Sequence, residues 1–225
     1  MIYDDLPVFP PIETETFLSL KSKFENTPEE IYRRNQWGKN ATKIFIMLKI
    51  NRKAGIHLIE RFFEKVDGIG TLHDDLSEAL YLNELIKLYD RETKLRPENP
   101  RNWKFLGFAN FLKCYFSPSR IGYQKTAEYY AETIRRVSNY PNGYINGLIM
   151  ARIGGSTPNR LRYELGLALG MLGDFDSSLY HLKIHGAGEE FLQRFYDDPE
   201  ECLLQEVFHY YSIRLSNKLY CLDTP

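Results

Sequence analysis

No stretch of this 225-residue chain approaches the roughly 18 consecutive apolar residues that a membrane-spanning helix needs. Its start, MIYDDLPVFPPIETE, carries acids and prolines where a secretory signal has a basic and then an apolar run. Cysteine is scarce: Cys114, Cys202 and Cys221 are odd in number and show no Cys-x-x-Cys spacing. That pattern fits neither a disulfide framework nor a structural zinc site. A soluble protein of the reducing cytoplasm is therefore the expectation. Also missing are a P-loop, a dinucleotide-binding glycine fingerprint and a Gly-x-Ser-x-Gly elbow. The motif-based enzyme classes thus lose their sequence support, and catalysis by acids and bases gathered from distant helices ranks third among the readings.

What is present is material for a core, since 43% of the residues are apolar and 14% aromatic. Net charge is −1, so the whole-chain balance points to no polyanion. The charge is nevertheless unevenly spread. Residues 31–59 contain Arg33, Arg34, Lys39, Lys43, Lys49, Arg52 and Lys53 and no acid, whereas residues 173–225 hold four basic side chains against ten acidic ones. The basic run, with Trp37 and Phe45 interleaved, supports the alternative reading of a helical nucleic-acid-binding regulator. A solvated face, or a contact for an acidic partner, is the simpler account of it.

Helix starts recur in one chemical style, a capping side chain followed by proline. Thr27-Pro28, Asn99-Pro100, Thr157-Pro158 and Asp198-Pro199 all fit it, and Glu30 and Glu201 stand three residues after their caps. Between the starts the apolar spacing is helical, as in Leu82, Leu85, Ile86 and Tyr89. Pro and Gly cluster at breaks such as 117–122, 154–158 and 185–188. The pattern predicts helices at about 28–36, 39–50, 54–66, 74–95, 101–116, 123–138, 159–172 and 175–185, a short one within 142–153, and one or two more to about 218. Residues 1–15 form an extended arm, which either packs on its own helices or docks elsewhere, and residues 16–225 form a single all-helical domain.

Helical hairpins in series raise the question of a repeat. NWKFLGFAN supplies Trp103, Leu106 and Gly107, and RYELGLALGMLGDFDSSLYHL supplies Leu165 and Gly166, then Gly173, Asp174 and Phe175 at a turn, with Ser178 where a small residue belongs. These residues resemble the tetratricopeptide repeat, best seen over 77–138 and 159–186. The two Leu-Gly pairs lie 59 residues apart, against about 34 in the regular repeat. The resemblance implies an all-α solenoid of antiparallel hairpins, closed by a C-terminal capping helix at about 199–218. It also implies a concave face built from each first helix, with Arg101, Lys104 and Phe108 from one unit and Arg160, Tyr163 and Glu164 from the other. Cations beside aromatics there suit a protein or peptide partner of acidic character, and an adaptor or assembly factor follows. Phe108 and Glu164 replace residues that the family's carboxylate clamp needs, which argues against a chaperone-tail receptor.

His181 and His185 share a helix face at the i, i+4 spacing seen in zinc sites, with no third ligand evident nearby. They rank as weak metal candidates; a packed or helix-capping role is the stronger reading, and no cofactor is expected.

Overall fold

The computed structural model describes residues 3–28, 31–32, 75–153 and 157–216. Within them the chain is all-helical. The helices are α1 (Thr14–Glu25), α2 (Asp75–Leu95), α3 (Pro100–Phe116), α4 (Arg120–Ser138), α5 (Tyr144–Met150), α6 (Leu161–Gly170), α7 (Phe175–His185), α8 (Glu189–Asp197) and α9 (Pro199–Ser216). None of the described helices is long and apolar enough to cross a membrane. The basic stretch Arg33 to Lys53 and the helices expected at 39–50 and 54–66 lie outside the described residues.

Local chemistry sets four of the described helix starts, at Asn99, Ser119, Asp174 and Asp198. The Asn99 side chain accepts from the Arg101 amide at 3.0 Å and Asp198 from the Glu201 amide at 3.0 Å. Ser119 caps α4 by accepting from Gly122, so that helix begins at Arg120, inside the stretch read as a break. Thr157 does not start its helix. Its carbonyl instead accepts from the Arg160 amide in a tight turn, and α6 begins only at Leu161. The C-terminal segment divides at Asp198 into two helices, because that residue is extended and caps the second.

Successive helices pack as neighbours: α3 lies between α2 and α4, α6 packs on α7 and on α4, and α8 and α9 pair before α9 crosses α6. Glycines allow the closest approaches. A Cβ on Gly166 would stand 2.8 Å from Leu182 of α7, and one on Gly170 would stand 2.4 Å from Leu203 of α9. The second Leu-Gly pair therefore sits where two helices nearly touch. Phe111 of α3, completely buried, is ringed by Tyr123, Tyr210 and Tyr211, and the Tyr211 hydroxyl donates to the Phe111 carbonyl at 3.0 Å. Such a buried phenol needs that acceptor, since stranding it costs about 1–3 kcal/mol.

The arm is docked on its own chain. Leu6, Phe9 and Ile12 are buried at a spacing of three, with Pro7, Pro10 and Pro11 between them, which is the period of an extended, proline-fixed chain. Phe9 stacks on Tyr144 at 5.8 Å between centroids. Asn159 grips the Phe9 backbone at both ends, accepting from its amide at 3.0 Å and donating to its carbonyl at 2.9 Å. Arg162, only 1% exposed, donates to the carbonyls of Leu6 at 2.6 Å and Pro7 at 3.0 Å. An extended segment has no backbone partners of its own, and these side chains supply them.

Candidate functional site

A cleft of about 670 Å³ opens between α3, α4, the segment after α5, α6, α7 and α9. Of the six residues expected on a partner-facing surface, Lys104, Phe108, Arg160, Tyr163 and Glu164 line it together. Arg101 does not; it is buried, with its guanidinium 5.4 Å from the centre of the Phe105 ring. The arm also lies elsewhere, since none of its residues lines the cleft.

Lys104, Arg152 and Arg160 bring cations to the lining. The Lys104 ammonium donates to the Ala151 carbonyl at 3.0 Å, which places it beside Arg152, and Phe105 lies beneath it at 5.6 Å. Arg160, at the entrance to α6, is exposed. Acidic and aromatic side chains line the cleft as well. Tyr163 donates a short hydrogen bond to Glu206 of α9 and packs on His185 and Tyr210 at 5.1 and 6.0 Å. Burial and that carboxylate push the phenol's pKa well up, so it stays protonated. Glu164 is 5% exposed and also lines the cleft.

His185 is the site's titratable centre. Its pKa is lowered chiefly by burial and further by Arg160, against the pull of Glu164 and a hydrogen bond with the Asn159 backbone. The imidazole is therefore neutral near pH 7. Its Nδ1 is buried without a hydrogen-bond partner. His181 is placed differently. It is completely buried, and its Nδ1 takes the Arg162 guanidinium at 2.7 Å. Because arginine only donates, His181 is the neutral tautomer protonated at Nε2. The two histidines thus face separate environments, and among the described residues no group of three His, Cys, Asp or Glu is placed to hold a metal.

Sequence reasoning missed Phe105, Tyr130, Arg152, Ile153, Leu161, Glu206, His209 and Tyr210, which with His185 complete the lining. Glu206, His209 and Tyr210 do share one face of α9 at i, i+3, i+4 spacing, a signal that was legible. Arg152 lies in the stretch 142–153 expected to hold a short helix; the helix ends at Met150, and Arg152 follows it in a left-handed conformation. The lining contains no Ser, Thr or Cys; Cys114 is buried in the core, where desolvation pushes its thiol up to about 11. The arrangement is equipped to hold charged and aromatic groups and to accept a proton, and it presents no activated thiol or hydroxyl. In comparisons with family models, with curated proteins and with solved structures, nothing matches this chain.

Proposed function

We propose that the chain is an adaptor or assembly factor whose cleft holds a segment of a protein partner, on a divergent tetratricopeptide-like stack of helical hairpins. The observation that carries this reading is the meeting of Lys104 and Phe108 from α3 with Arg160, Tyr163 and Glu164 from α6 in one open cleft. Cations, carboxylates and aromatic rings in one lining suit a peptide that carries charge and a ring, and such sites are typically apolar with a few convergent polar groups. The repeat-like element of the proposal is supported by Gly107 and Gly166. A Cβ on Gly107 would sit 3.3 Å from Tyr129 and Tyr130, and Gly166 is tighter still against Leu182.

The test is a paired pull-down from source lysate with nuclease present, comparing the native chain with Lys104→Glu and with a distant control, Lys94→Glu. The expected result is a defined protein that the native chain and the control recover and the cleft variant loses, while all three keep a cooperative thermal transition. Equal recovery by all three removes the cleft from the function. Recovery that depends on nucleic acid and collapses at high salt moves the function to the Arg33 to Lys53 run.

A further inference from the structure

One buried guanidinium joins the arm to the interior. Arg162 of α6 donates from Nη2 to the Leu6 and Pro7 carbonyls, at 2.6 and 3.0 Å, and from Nη1 to His181 Nδ1 on α7 at 2.7 Å. Arginine has donors and no acceptor, so the last of these bonds exists only while Nδ1 keeps its lone pair. Both side chains are buried, His181 completely. Tyr180 and Asp4 flank the pair. The Tyr180 ring packs on the His181 ring at 5.2 Å, and its hydroxyl donates to the Asp4 carbonyl of the arm at 3.3 Å. Burial works against the Arg162 charge, and Tyr180 and Asp4 act in its favour. His185, one turn along α7, lines the cleft with Glu164, whereas Arg162, His181 and the arm do not.

A proton on Nδ1 turns that acceptor into a donor and sets an imidazolium against the guanidinium. Like charges in contact, away from water, repel far more strongly than one hydrogen bond attracts. A docked arm and a charged His181 therefore exclude each other. From this geometry we infer that Arg162 and His181 form a proton-sensitive latch, which holds the arm while His181 is neutral and releases it when His181 takes up a proton. Release frees the Leu6 and Pro7 carbonyls from Arg162 and opens that edge of the guanidinium to water, which screens the two cations from each other. It also bares the side chains of Leu6, Phe9 and Ile12 and the face of Tyr144 on which Phe9 stacks. Below about pH 6.5, the ordinary histidine value, the open chain binds one proton more than the docked chain. Docking is therefore complete above that pH and weakens as pH falls, by about tenfold in the closed-to-open ratio for each unit.

Amide hydrogen exchange of the full chain, expressed as protection factors, reads the latch at the Phe9 amide that Asn159 holds. The Leu112 amide, in the buried part of α3, reads global unfolding. The expected result is that Phe9 exchanges through an opening that leaves Leu112 protected, and that this opening grows about 30-fold as pH falls from about 6.5 to 5. His181→Asn is the decisive variant, because its amide oxygen can accept from Arg162 and does not titrate. It should keep the arm protected near neutral pH and remove the pH dependence at Phe9. Where that variant does not fold, the ring nitrogen NMR signals of His181 in the native chain decide. The neutral ring should persist as long as Phe9 is protected, and its proton uptake should track the opening. Equal protection of Phe9 and Leu112 at every pH ties arm release to unfolding and overturns the latch, as does an opening that ignores pH. A charged His181 beneath a protected Phe9 overturns it too. If His185→Leu removes the pH dependence at Phe9 and His181→Asn does not, the cleft histidine is the sensor and the latch is wrong.

Discussion

Arg160 and Arg162 stand two residues apart at the start of α6 and lead opposite lives. Arg162 is sealed beneath the arm, donating to two arm carbonyls and to His181. Arg160 is exposed at the rim of the cleft. Both sides of α6 offer polar side chains among aromatic rings, and they differ in whether this chain fills them. The filled side shows how the fold grips an extended segment. Every hydrogen bond described from Asn159, Arg162 and Tyr180 to the arm goes to its backbone, while Leu6, Phe9 and Ile12 enter the core. Shape and apolar spacing specify the arm, whereas charge dominates the open cleft.

The contrast can be broken most violently at Arg162. Arg162→Ala strands two carbonyls and His181 and empties a buried volume, so urea unfolding should show a loss of about 3–4 kcal/mol. Arg160→Ala should stay within about 0.5 kcal/mol, as an exposed substitution does. Comparable losses for the two would mean that the seam is not the structural half. Phe9→Ala comes next, at about 3 kcal/mol, because a buried aromatic ring and its stack on Tyr144 are lost together. Asn159→Ala follows at about 2 kcal/mol, for two hydrogen bonds to one buried backbone unit. Hydrogen exchange at the Phe9 amide is the sharper readout there, and it should accelerate in both variants.

The smallest expected effect lies on the cleft side and concerns pH. Below about pH 6.5, the ordinary value, the unfolded chain takes up a proton at this histidine before the folded chain does. Stability is therefore fully present above pH 6.5 and is lost as pH falls through the lowered folded value. His185→Leu should flatten that part of the stability profile between about pH 7 and 5. An identical profile in the variant would show that burial does not hold the imidazole neutral.

Much of the helical framework was legible because its determinants are local. Asn99-Pro100 and Asp198-Pro199 place a capping oxygen within three residues of the amide it serves, and Gly173-Asp174 turns and caps within one step. Thr157-Pro158 carries the same signature and fails. Asn159, just beyond it, is committed to Phe9, 150 residues away, and the turn tightens around that contact. The cleft was half legible for a similar reason. Helical spacing brings Arg160, Tyr163 and Glu164 to one region, but Arg101 follows Phe105 into the core, and Glu206 arrives from a helix far along the chain.

The amino-acid sequence determined where helices start and stop and which faces are apolar, because those depend on hydrogen bonds and side chains within a turn or two. Only the tertiary structure decided that Arg162 is buried while Arg160 is not, that the arm closes one side of α6, and that Arg152, Tyr163 and His185 line the same cleft. Those outcomes depend on contacts between segments more than a hundred residues apart, or on a backbone strained at one residue, and no local pattern encodes either.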